Sequence, residues 1–280
     1  MPKSICIKTN TSSNIDYLLN ELTILKIDNV YFSCKNFKNY TNIIVHYKGR
    51  TSHLFLSSLS KILTYLVLDL YENSILKHLL LSEYFYFSSL EQKSIFDICT
   101  NTLNYENSAD RFETIETSFF EYLKAHKALN LKGFINFRLS DYIKYLDSII
   151  DICVNKFIID KEYMEFVNLL KTYVNSCDNS SFLIHLIYKN QNSILLDEEK
   201  NIISINKNAF NAHFLSDISF SSNDYALNSL LTLLPQNLYI HLLDEEDEFI
   251  NTLKLIFDSR IHICRDCNIC NLYKNSNFSC

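Results

Sequence analysis

Two glycines and two prolines are all that 280 residues contain: Gly49, Gly133, Pro2 and Pro235. This scarcity closes off whole classes of site. A Walker-A loop or a dinucleotide fingerprint needs clustered glycines, because the backbone itself must approach phosphate. A nucleophile elbow of the G-x-S-x-G type needs them too, and none is present. Classical nucleotide-binding enzymes are therefore excluded. Asn and Ile are abundant and Trp is absent, a bias that fits an AT-rich genome. Apolar residues make up 48% and charged residues 21%, so the chain folds and is not wholesale disordered. At this length about three quarters of the unfolded surface can be buried without staples.

The formal charge is −6, which argues against a protein built chiefly to grip phosphate backbones. Residues 1–130 carry no net charge, and the whole excess lies in 131–280. Much of it is one run, Asp244 to Glu248, which reads as the acidic first turn of a helix stabilised by the helix dipole. The competing reading is a cation or basic-partner site. The first ten residues lack the apolar core of a signal peptide. Leu54 to Tyr71 is the most apolar long stretch, but Lys61 and Asp69 interrupt it. It reads as a buried helix with two wet positions, not as a membrane span. A cytoplasmic protein whose nine cysteines stay reduced is expected.

Apolar periodicity then suggests an α+β chain in three stretches. Residues 1–50 read as a small β-α-β-β unit, with strands at Ser4–Lys8, Val30–Cys34 and Asn42–Tyr47 and a helix over Asn14–Leu25. Residues 51–177 read as helical, with Gly133 as a C-terminal cap and Ser140 as an N-cap. The aromatic run Tyr84 to Phe87 falls inside this region and reads as core. Residues 178–280 read as an α/β unit. Its candidate strands are Phe182–Tyr188, Ile194–Leu196 and Ile202–Ile205, followed by a helix over Asn223–Leu234 that Pro235 stops. Then Asn237–His241, a helix over 246–257 and Arg260–Cys264 form a β-α-β unit. A right-handed crossover makes its two strands parallel neighbours.

That last strand runs into Cys264-Arg265-Asp266-Cys267-Asn268-Ile269-Cys270, a C-x2-C-x2-C run. In parallel sheets, sites gather at the carboxyl ends of strands. Thiolates two residues apart can hold one metal from a tight loop. Three ligands are one short of a tetrahedron, and Cys280 or His262 could supply the fourth. Zinc suits the set ahead of an iron–sulfur cluster. A thiol–disulfide role for Cys264 and Cys267 is the third reading, and plain reduced thiols near a terminus the blandest. Cys6, Cys34, Cys99, Cys153 and Cys177 read as small buried hydrophobes, and His185 and His241 as satisfied core or sheet-edge histidines. Asp147 and Asp151, at i and i+4, share a helix face and could hold a cation, but a solvated face explains them as simply. Arg138 and Asp141 could pair across a helix start.

The segment Gly133 to Val174, beginning GFINFRLSDY and continuing through DKEYMEFVNLL, resembles the YtxC sporulation protein family. Ser181–Tyr188, Ser229–His241 and the terminal IHICRDCNIC agree in the same order. The motif residues that carry the resemblance are Gly133, Phe134, Phe137, Arg138, Asp141, Tyr142, Glu162, Tyr163 and Phe166. It departs from the family at Asp266, where a glycine is usual, and at Asn155 and Lys156, where acidic residues are frequent. The resemblance implies a cytosolic protein of endospore-forming bacteria, associated with sporulation and without an assigned reaction. The resulting expectation is a structural or regulatory protein with a protein partner and a metal-binding cysteine cluster. The first rival is a metal-dependent or thiol-redox enzyme using Cys264, Cys267 and Cys270. The second is nucleic-acid binding through a basic face of Lys124, Lys127, Lys132 and Arg138, which the charge balance disfavours.

Overall fold

A computed structural model describes residues 3–25, 28–49, 52–105, 108–177, 180–203 and 221–274. The chain is α+β and divides into two compact units, Met1–Ile158 and Ile159–Cys280.

The first unit opens with β1 (Lys3–Thr9), α1 (Ser12–Ile24), β2 (Val30–Asn36) and β3 (Thr41–Tyr47). Ile5 and Ile7 of β1 and Ile43, Val45 and Tyr47 of β3 alternate into the core, as a half-buried sheet requires. Helices α2 (Ser52–Leu66), α3 (Glu72–Glu83), α4 (Ser89–Tyr105) and α5 (Ser108–Ala125) follow, with a π-turn at Val67–Tyr71 joining α2 to α3. Tyr47 stacks on Phe55 of α2 at 5.2 Å between ring centroids. Then come β4 (Ala128–Asn130), α6 (Leu131–Arg138) and α7 (Ser140–Ser176). The sheet order is β2-β3-β1-β4, with β1 antiparallel to β3 and parallel to β4.

One apolar cluster joins the sheet, the helices and the start of α7, from Ile5 to Val154. The opening β-α-β-β stretch therefore has no core of its own: a sheet must bury its apolar face against another layer, and here the following helices supply it. β4 is a strand that periodicity misses, since three residues cannot show a pattern. It is held by its ladder with β1, beside a bond from the Cys6 N–H to the Lys127 carbonyl at 2.8 Å.

Two local expectations are corrected. Gly133 does not cap the preceding helix. It lies in the first turn of α6, where its N–H bonds the side chain of the N-cap Asn130 at 3.2 Å. Nor is the aromatic run core throughout. It forms the turn between α3 and α4, with Phe85 and Tyr86 exposed and Tyr84 and Phe87 half-buried against the core. A turn cannot direct four consecutive side chains to one side.

Among the described residues, the helical run Ser52–Glu83 alone is long and apolar enough to cross a membrane, and half of its most apolar window is buried inside the protein. Lys61 and Asp69 are exposed, but so are Leu54, Tyr65 and Leu70, so the stretch has more than the two wet positions expected; Tyr17 donates to Asp69 at 2.7 Å. No clear transmembrane segment is present among the described residues.

The second unit is built on β5 (Ser180–Lys189), β6 (Asn192–Leu196), α8 (Ser222–Leu233), β7 (Pro235–Leu242), α9 (Glu248–Phe257), β8 (Ile261–Cys264) and α10 (Asn268–Lys274). Strand order is β6-β5-β7-β8, with β5, β7 and β8 parallel and β6 antiparallel to β5. The expected parallel β-α-β is β7-α9-β8. Ile202 bridges Leu196, and the rest of the strand expected at Ile202–Ile205 lies largely outside the described residues. Ile184, Leu186 and Tyr188 of β5 and Leu238, Ile240 and Leu242 of β7 pack with Leu230 of α8 and Leu253 and Phe257 of α9. Strand alternation sends His185, His241 and Cys264 to the other face.

Candidate metal centre

The site begins with register. β7 and β8 are parallel, and His241 and Cys264 are direct Cα partners in their ladder. Both sit at the carboxyl ends of their strands and on the same face. After Cys264 the chain turns into α10, with Cys267 just before the helix and Cys270 in its first turn. The Cys267 sulfur accepts the Cys270 N–H at 3.5 Å, as an N-cap side chain would. Ile269 packs with Ile187 and Leu196, so α10 closes over this end of the sheet and seats Cys270 in full burial.

His241 Nδ1 and the sulfurs of Cys264, Cys267 and Cys270 all lie within 4.8 Å of one another. Nδ1 is 3.4 Å from Cys267 Sγ and 3.4 Å from Cys270 Sγ. Cys270 Sγ is 3.6 Å from Cys267 Sγ and 3.9 Å from Cys264 Sγ. A tetrahedral zinc with the usual Zn–S and Zn–N bonds sets ligand atoms about 3.6–3.8 Å apart along each edge. Four of the six edges, at 3.4–3.9 Å, fall close to that value and the remaining two lie within 4.8 Å; the donors are the soft sulfur and imidazole atoms zinc takes.

The electrostatics suit ligation. Burial, with His185 beside it, lowers the His241 pKa to about 4 and keeps the ring neutral near pH 7. Burial pushes the Cys270 thiol up to about 12, helped by its Cys267 neighbour. Burial also opposes ionisation of Cys267, but hydrogen bonds from the Cys270 backbone and from the neighbouring thiols outweigh it and lower this thiol overall. One sulfur is thus readiest to become a thiolate, and the imidazole is already in the form that binds a cation.

The structure brings Cys264, Cys267 and Cys270 together, as the spacing suggests, but the fourth donor beside them is His241. His262 Nε2 instead lies 3.2 Å from Asn237 Oδ1, and its ring stacks on Tyr239 at 4.8 Å. Cys280 lies outside the described residues. His241 is buried, as an apolar strand suggests, yet against thiols and not in the apolar core. The signal that could have found it is the same rule that pointed to Cys264: a parallel neighbour places its own carboxyl end beside the first.

The other candidates resolve as structure. Asp247 caps α9 through the Ile250 N–H at 3.2 Å and accepts the Tyr188 hydroxyl. Glu246 pairs with Lys254 and, at 3.1 Å, with Arg265. Only Asp247 and Glu248 form the helix start; Asp244, Glu245 and Glu246 lie in the loop before it, where Asp244 accepts the Asn190 N–H. Asp151 accepts the Tyr84 hydroxyl, and Asp141 pairs with Lys144 at 3.3 Å. Within the motif, Phe134 stacks on Phe119 at 4.3 Å. The buried Tyr142 donates to Glu72, which also pairs with Arg111 at 2.8 Å. Tyr163 bonds Thr252 at 2.6 Å, while Arg138, Glu162, Phe166 and Phe137 are exposed, the last to 81%.

A family model described as the YtxC-like family matches residues 57–262. That span holds His185 and His241 and stops short of Cys264. A curated relative, the "Uncharacterized protein YtxC" of Bacillus subtilis (strain 168), is 21% identical over 134 residues, 48% of this chain and 47% of the relative. The chain thus spans about half the length of the curated relative it matches. No solved structure matches.

Proposed function

The chain belongs to the YtxC-like family, and from that premise we propose that it is a non-enzymatic, sporulation-associated cytoplasmic protein whose C-terminal end is organised by one zinc ion. His241, Cys264, Cys267 and Cys270 are the four ligands. The protein acts by presenting the metal-fixed end of the second unit to a protein partner.

The observation that carries the reading is the convergence of four soft donors within 4.8 Å. Four protein ligands fill a tetrahedral zinc and leave no position for substrate or water, the pattern of structural sites. The donors also lie within 4.8 Å of one another, which suits one ion better than an iron–sulfur cluster spread over several irons. Support for sporulation comes from the family resemblance. The basic-face alternative gains little, since Lys124 is paired with Glu121 at 3.5 Å.

Elemental analysis of anaerobically purified protein tests the metal directly, beside a Cys264→Ser/Cys267→Ser/Cys270→Ser variant. One zinc per chain in the wild type, lost in the variant, is expected. No metal under anaerobic handling overturns the reading. Deleting the gene from its spore-forming host, and restoring wild-type and triple-serine copies, tests whether spore yield depends on the cluster.

A thiol-redox role is the second reading, favoured by one pair. Cys267 and Cys270 are three positions apart at a helix start, their sulfurs 3.6 Å apart, with one thiol lowered and the other raised. A reversible Cys267–Cys270 disulfide in protein purified without zinc would put that reading first.

A further inference from the structure

The imidazole in the cluster can offer Nδ1 to a cation only if its proton sits on Nε2. That N–H is then a buried donor, since His241 is 2% exposed, and a buried donor left without an acceptor costs stability. The partner in place is His185. Its Nδ1 lies 2.9 Å from His241 Nε2, with the rings 5.1 Å apart. The register explains the meeting. His241 pairs directly with Ile187 on the parallel neighbour β5, and His185 lies two residues before Ile187 on the same face. The two histidines are diagonal neighbours, within reach of ring side chains.

Resting on the metal centre proposed above, we infer that His185 is its positioning residue: its Nδ1 accepts the His241 Nε2–H and thereby presents His241 Nδ1 to the metal. Only one of the two nitrogens can hold the shared proton. With the proton on His241 Nε2, His185 must carry its own on Nε2. Metal-bound histidines usually pass their second N–H to a carboxylate, a carbonyl or water. A neutral imidazole here orients His241 without adding charge beside three thiolates. His185 also packs against Tyr239, with ring centroids 5.7 Å apart and the rings tilted by 43°. This contact holds its own ring in place.

The test compares wild type, His185→Leu and His185→Asn as full chains. Leu removes the acceptor, whereas Asn Oδ1 can stand near the position of Nδ1. Zinc affinity is read by chelator competition, and the site by the visible spectrum of the cobalt(II)-substituted proteins. The hydrogen bond is read from the 15N-imidazole resonances of the zinc-loaded proteins. Leu is expected to weaken zinc binding by about 10- to 100-fold and to shift the cobalt spectrum, with Asn restoring both. The zinc-loaded wild type should show His241 metal-bound at Nδ1, with a slowly exchanging Nε2 proton that the Leu variant loses. A merely structural role for His185 would lower the melting temperature without moving that resonance. If wild type binds zinc and Leu matches it, the assignment to His185 falls while the metal centre stands. If Asn fails as badly as Leu, acceptance at Nδ1 is wrong. If wild type binds no zinc, both the centre and this role fall.

Discussion

The two units are held together by different means where it matters most. The first has one continuous apolar cluster running from Ile5 through Leu63 and Phe119 to Val154. Each fully buried Leu, Ile or Phe contributes about 1.5–3 kcal/mol, so no single residue is decisive there. Among the described residues, the apolar cluster under α10 has just Ile187, Leu196 and Ile269 as its buried members. α10 spans just Asn268–Lys274, and a helix that short does not persist in water by itself. Ile269 seats it against Ile187 and Leu196, Lys189 donates to the Tyr273 and Lys274 carbonyls, and the proposed zinc held by the four donors would fix its start. Where apolar area is abundant, the fold is spread over many small contributions. Where it is scarce, it is concentrated at one point, and a single atom can matter.

The sharpest way to break this contrast is to remove the proposed zinc. Structural zinc sites contribute about 10–16 kcal/mol of apparent binding free energy, and that energy is also folding energy. Chelation, or Cys270→Ser, should release amide-exchange protection across residues 261–274 and leave β1, β3 and α2 protected. Loss of protection throughout the first unit as well would mean the two regions are not independently held. The converse change is Leu63→Ala, which opens a cavity at a fully buried position of α2. It should cost about 2–5 kcal/mol of the first unit's stability and leave zinc affinity within about twofold. A large change in zinc affinity would show coupling where none is expected.

The same contrast decides what could be read in advance. The strands β1, β3, β5 and β7, the helix α9 and the parallel β7-α9-β8 unit follow from alternation and helical spacing, because a buried apolar face writes its period into the sequence. The end of the first unit was not legible, since α7 runs through Ile158 as one uninterrupted helix and a boundary inside a helix leaves no break in the pattern. Three of the cluster's donors were legible as a spacing. The fourth was not, because His241 joins them only through the pairing of β7 with β8, and strand pairing is a property of the folded sheet. His185 is one step further removed, since it reaches His241 from β5.

A smaller effect follows from pH. His241 has its pKa lowered from 6.5 to about 4 by burial. Between those values the unfolded chain binds the extra proton and the folded one does not, so stability rises with pH across this window. The metal-free second unit should therefore hold its full stability above about pH 6.5 and lose on the order of 2 kcal/mol as the pH falls toward 4. His185, also lowered by burial, acts in the same direction. Urea midpoints of metal-free protein at pH 7.5 and pH 5 measure the slope, and His241→Gln should flatten it. An unchanged slope in that variant would place the titrating group elsewhere.

The smallest effect separates scaffold from site. Asp247 caps α9, and α9 carries the chain from β7 to β8 and so to Cys264. Its carboxylate also accepts the Tyr188 hydroxyl, at the edge of the second unit's core. Asp247→Ala should cost about 1 kcal/mol through the lost cap, and Asp247→Asn less, because Asn caps nearly as well. Both variants should keep zinc affinity, since β7 and β8 remain paired in the register that sets His241 beside Cys264. Thermal melts with and without zinc, together with chelator competition, measure the two quantities separately. If Asp247→Ala weakened zinc binding tenfold while its melt barely moved, the acidic run would belong to the metal site. The division between a distributed scaffold and a concentrated site would then have to be redrawn to include it.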